Sequence, residues 1–117
     1  MPDPAPPSES SDATEASPDM TLAGYIEHHD RPPAFEGADA HPYTVSIEVE
    51  RTPDLANPYV AYLVFPRWAL TGVGIVGHVE TATLVKAKSS DEAREGVGAL
   101  PLPEVKALLD RAIAESS

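Results

Sequence analysis

The run Gly72-Val73-Gly74-Ile75-Val76-Gly77 is a literal G-x-G-x-x-G, the spacing of glycine-rich loops that cradle phosphates. It continues through His78 to Val79, so it also fits the G-x-G-x-x-G-x-V of a kinase phosphate loop. The dinucleotide version needs a helix to begin at the glycines, because the helix N-terminus holds the pyrophosphate. Here the residues that follow are rich in β-branched types (Val79, Thr81, Thr83, Val85) and predict a strand. The kinase version needs H-R-D and D-F-G motifs, which the chain lacks, and more than twice its 117 residues. The expectation is therefore structural. Gly72 and Gly74 supply positive φ in a hairpin, and Gly77 marks a bulge or close contact.

His78 and Glu80 stand two apart on the same predicted strand and share a face. A histidine beside a carboxylate can bind a ligand or move a proton. A metal centre needs three or four protein ligands, so His41 or Glu48 would have to join them. The ordinary reading is a polar pair on a wet sheet face. His28-His29 lie at a predicted helix end, where adjacent residues diverge and a cationic end complements the dipole. Glu48 and Glu50 are paired carboxylates on one strand, and the chain is too small for a sugar cleft around them. Arg67-Trp68 combines two residue types enriched at interface hot spots, and Trp68 is the only tryptophan. Either the pair shields the end of a sheet, or it contacts a partner. With no cysteine, thiolate chemistry and disulfides are excluded. No nucleophile elbow, P-loop lysine or H-E-x-x-H is present, and no motif calls for a cofactor or a metal.

The elements that must position these residues form an α+β pattern. Residues 43–51 (YTVSIEVER) alternate, with Tyr43, Val45, Ile47 and Val49 on one face and Thr44, Ser46, Glu48 and Glu50 on the other. Residues 52–58 read as a hairpin loop. Residues 59–65 (YVAYLVF) form a strand apolar on both faces, central or covered, which Pro66 should close. A third strand is expected over residues 75–86, and Phe35-Glu36 is a further short one, joined through a turn at residues 37–41. Short connections predict an antiparallel meander of three to four strands. Ser17-Pro18-Asp19 has the signature of a helix start, for a helix running to about His29. Ser89 and Glu92 have capping-box spacing for a short helix. Pro103 opens a C-terminal helix with Val105, Leu108, Leu109, Ala112 and Ile113 on one stripe. That helix is expected to cover one face of the sheet, with the short helix beside it.

Composition sets the wider frame. Residues 1–17 are Pro, Ser, Ala and acid without apolar periodicity, and are expected to be a disordered acidic tail before a single α+β domain over residues 18–117. The net charge is -11. Five acids and no base in the first twenty residues leave -6 on the rest. Such a balance disfavours nucleic acid and anionic membranes as partners. No apolar run approaches the ~20 residues of a membrane span, and the N-terminus lacks the features of a signal peptide, so a cytoplasmic location is expected. The function expected is a small non-enzymatic interaction or regulatory module with a protein partner or its own copy. The alternative is a small ligand- or metal-binding domain, enzymatic or not, centred on His78 and Glu80.

Overall fold

A computed structural model describes residues 20–116. The expected tail and the helix start at Ser17-Pro18-Asp19 lie outside the described residues. Among those described are three helices and six strands: α1 (Leu22–His29), β1 (Ala34–Glu36), β2 (Pro42–Thr44), β3 (Ser46–Arg51), β4 (Tyr59–Trp68), β5 (Ile75–Glu80), β6 (Val85–Ala87), α2 (Ser90–Gly98) and α3 (Leu102–Ser116). All strands join one sheet, and every pairing is antiparallel.

The strand β4 is central. Along one edge it meets β3 and β2, and along the other it meets β5 and β6, so that Arg67 lies between Tyr43 and Gly77 and Ala61 between Val49 and Val85. β1 pairs with β2 at the outside. The six strands exceed the expected three to four because two expected strands are interrupted. β2 and β3 keep one register against β4, Tyr43 opposite Arg67 and Ser46 opposite Val64, with no pair between. That gap coincides with Pro66, which has no N–H to give. The same gap explains why Pro66 sits inside β4 rather than closing it: a proline is tolerated where the ladder is already open. The second interruption lies between β5 and β6. Here the chain carries two more residues than β4 does between Val64↔Glu80 and Ala61↔Val85. The slack is tied down by Thr81, whose N–H donates to the Leu63 carbonyl (2.9 Å) while its Oγ1 accepts from the Leu63 N–H (3.1 Å).

Local chemistry places the helices. The first begins at Leu22 with Thr21 as its cap: the Thr21 Oγ1 accepts from the Gly24 N–H at 3.0 Å. It ends at Asp30, left-handed at φ 55°, whose N–H donates to the Ile26 carbonyl. Ser89 Oγ caps α2 by accepting from the Glu92 N–H (3.1 Å). Glu92 reaches back to the N–H of Lys88 rather than of Ser89, one residue upstream of the expected partner.

One apolar cluster joins the layers. Tyr43, Val45, Ala61, Leu63, Phe65, Val79 and Ala87 from the sheet are buried with Leu22 of α1, Ala93 and Val97 of α2, and Val105, Leu109 and Ala112 of α3. Ile47 and Val49 pack against it, half-buried. α2 contacts β3, β4 and β6, α3 contacts β5, and α1 contacts α2. All the buried strand residues lie on one face. This follows from the period-2 alternation of a pleated strand.

Candidate functional site

The same alternation turns Val60, Tyr62, Val64, Pro66 and Trp68 of β4 to the opposite face, where each is half-buried. The registers fix their neighbours. Val60 lies between Glu50 and Lys86, Tyr62 beside Glu48, Val64 between Ser46 and Glu80, and Pro66 beside His78. No described residue of this outer face is buried. The central strand is thus apolar on both faces as expected, but only one face is sealed.

Hydrogen bonds fix the polar groups around the stripe. Tyr62 Oη donates to Glu50 Oε2 at 2.7 Å, and Ser46 Oγ donates to Glu48 Oε2 at 2.6 Å. Trp68 Nε1 donates to Thr44 Oγ1 at 3.0 Å, which holds the indole on the outer face. The bond to Glu50, reinforced by partial desolvation and by the charges of Glu50, Glu80 and Glu48, pushes the Tyr62 phenol up to about 12. A spectrophotometric titration should therefore show a phenol ionising near 12 in the wild type and absent from Tyr62→Phe. Glu50→Gln should bring that midpoint down. A midpoint unchanged in Glu50→Gln would refute the assignment.

Beyond Trp68 the β4–β5 hairpin exposes Leu70 (71%), Val73 (78%), Ile75 (58%) and Val76 (55%), and the register places Ile75 beside Trp68. The turn is closed by the Ala69 N–H donating to the Gly74 carbonyl (3.0 Å) and the Gly72 N–H donating to the Ala69 carbonyl (2.8 Å). Gly72 and Gly74 have φ of 81° and 86°. A register shift opposite Arg67 and Trp68 makes Val76 the extra residue beside Gly77. The G-x-G-x-x-G run is therefore a hairpin turn followed by a bulged strand, with no helix N-terminus to hold a phosphate.

The other site residues separate. Arg67 and Trp68 are consecutive on β4 and point to opposite faces. Arg67 joins the rim of the core: its Nε donates to Tyr43 Oη (3.2 Å) and its Nη2 to Asp39 Oδ2 (3.3 Å), while Tyr43 Oη donates to the same Asp39 oxygen (2.7 Å). The His41 backbone N–H donates to Asp39 Oδ1 (3.1 Å), and the His41 ring lies 3.7 Å from Oδ2. Burial alone would raise the Asp39 carboxyl. The hydrogen bonds from Tyr43 and His41 and the charges of His41 and Arg67 outweigh it and hold the group below its ordinary value. A depressed folded pKa contributes stability that is full above the unfolded value, about 4, and is lost as pH falls through the folded value. Asp39→Asn should flatten this acid limb in denaturant titrations run below about pH 4, and an unchanged limb would show that Asp39 is not its source. Sequence reasoning missed this cluster. Its only signal was an acid two residues before a histidine in a turn.

His78 Nε2 and Glu80 Oε2 lie 3.7 Å apart on the outer face, with side chains 61% and 54% exposed. His41 is bound into the Asp39 cluster, and Glu48 is engaged by Ser46. Among the described residues no group of three or more His, Cys, Asp or Glu side chains is placed to hold a metal ion. His28 and His29 end α1, and the His29 ring stacks on Tyr25 with centroids 4.2 Å apart. No helix among the described residues is long and apolar enough to cross a membrane. The chain matches no protein-family model, no curated protein and no solved structure.

Proposed function

We propose that this chain is a non-enzymatic protein-interaction module whose contact surface is the outer face of the sheet together with the adjoining β4–β5 hairpin. One observation carries the reading. The central strand presents Val60, Tyr62, Val64, Pro66 and Trp68 on a face that no described element seals, and Leu70, Val73, Ile75 and Val76 extend it. Single exposed apolar residues are ordinary, but a contiguous patch with an aromatic anchor and a polar rim is the anatomy of an interface. Trp68 is the anchor, fixed by Thr44. Arg67 is tied to Tyr43 and Asp39 on the other face.

The test is site-specific photo-crosslinking in cells. A photoreactive residue at Val64 should capture a specific partner, whereas one at Glu95, exposed on α2, should not. Equal capture at both positions, or none at Val64, would overturn the reading.

A further inference from the structure

Resting on the reading of this face as a contact surface, we propose that its occupant is a cationic amphipathic helix of a partner protein, laid along β4. The apolar stripe has carboxylates on both sides: Glu48 and Glu50 on β3, beside Tyr62 and Val60, and Glu80 on β5, beside Val64. Lys86 is the one Lys or Arg that the registers place among them. Neighbouring strands are ~4.8 Å apart, so the β3 and β5 rows are separated by roughly 10 Å across β4. That matches the ~10–12 Å width of a helix with its side chains. A helix whose apolar side rests on Val60, Tyr62, Val64 and Trp68 would therefore present its flanking Lys or Arg residues to Glu48 and Glu50 on one side and Glu80 on the other. The stripe from Val60 to Trp68 runs about 27 Å at ~3.4 Å per residue, the length of about 18 helical residues.

Charge separates this occupant from its rivals. A second copy placed face to face would bring the carboxylates of both copies together on a chain already at -11. Nucleic acid and anionic lipid are repelled by the same groups. The Tyr62–Glu50 and Ser46–Glu48 hydrogen bonds hold two of the carboxylates in place on the face before any partner arrives, so less side-chain freedom is lost on binding.

The experiment uses the full chain and reads the emission of Trp68, its only tryptophan. The probe is a synthetic 18-residue Leu/Lys amphipathic helix without tryptophan. Its controls are a scrambled peptide of the same composition and a Leu/Glu helix. The Leu/Lys helix should shift the Trp68 emission to the blue saturably, with an affinity that falls as salt rises. Neither control should do so. The triple variant Glu48→Gln/Glu50→Gln/Glu80→Gln should weaken binding about tenfold, since three exposed pairs are lost. Val64→Lys should abolish it. Circular dichroism of both variants confirms that they fold. Equal binding of the scrambled peptide would reduce the effect to general attraction by an acidic protein and overturn the proposal. So would equal affinity of the triple variant, preference for the Leu/Glu helix, or no binding of the Leu/Lys helix. If the peptide fails while Val64 still crosslinks to a partner, the choice of occupant falls and the contact surface stands. If Val64 captures nothing and the peptide also fails, both fall.

Discussion

Leu109→Asp should leave the chain without a cooperative thermal transition. Leu109 is fully buried and lies on the α3 stripe with Val105 and Ala112, inside the cluster that includes Phe65, Leu63 and Tyr43. Removing a buried leucine side chain to alanine costs about 2–5 kcal/mol. A carboxylate at the same place costs several more, because no buried polar or charged residue is present among those described to pair with it. A domain of this size has a total stability on the order of 5–15 kcal/mol, so the substitution consumes most or all of it. Leu109→Met conserves volume and should cost less than about 1.5 kcal/mol. Far-UV circular dichroism of both variants is the measurement. A folded, monomeric Leu109→Asp chain with a sharp melt would show that α3 does not bury this stripe.

The stripe was legible because it repeats at helical spacing over one element, and periodicity is the signal that tertiary context disturbs least. The face of residues 43–51 was legible for the same reason: Tyr43 and Val45 are buried, Ile47 and Val49 pack against the core, and Glu50 is exposed. What failed was continuity. Pro66 was read as a terminator on its general habit, but the cost of a proline depends on whether its position owes the sheet a hydrogen bond, and that depends on the neighbour opposite. The cap of α1 rests on distant contacts as well as local ones. Thr21 is a competent cap by type, and it also bridges to Pro101, while the Leu22 N–H donates to the Leu100 carbonyl (2.9 Å). Those contacts with residues some eighty positions away are invisible to a local reading.

The candidate surface was half legible. The apolar character of residues 59–65 on both faces was plain, and of the two readings it allowed, central or covered, the strand is central with its second face half-buried. Only the registers show that its neighbours are Glu48, Glu50, His78 and Glu80. Arg67 and Trp68 are adjacent in sequence, and the strand turns them to opposite faces of the sheet, which only the strand assignment reveals. The glycine run was read correctly, because a strand-forming sequence after the glycines removes the helix that phosphate binding needs.

Gly37→Ala adds a single methyl group and is expected to damage the fold. The backbone conformation of Gly37 does not demand glycine, since positive φ among the described glycines occurs at Gly72 and Gly74. The demand is for space. A Cβ at Gly37 would lie 2.5 Å from Tyr43 Cε1, 2.8 Å from Tyr43 Cδ1 and 2.8 Å from Ile113 Cδ1. The end of Ile113 can swing away, but the Tyr43 ring is fully buried and its hydroxyl is held by Asp39 and Arg67. Nor can the glycine retreat easily, because its N–H donates to the His41 carbonyl and its own carbonyl accepts from the Ala40 N–H, both at 2.9 Å. Overpacking of this kind costs about 1–3 kcal/mol. At roughly 4–8 °C per kcal/mol for a domain of this size, the melting temperature should fall by at least about 4 °C. Gly72→Ala should cost less, about 1 kcal/mol, because its site is open and only the left-handed φ is strained. Ile113→Val in the Gly37→Ala background should recover only part of the loss, since the clash with the ring remains. If Gly37→Ala melts within a degree of the wild type, the Tyr43 ring is not held as the Asp39–Arg67 cluster requires.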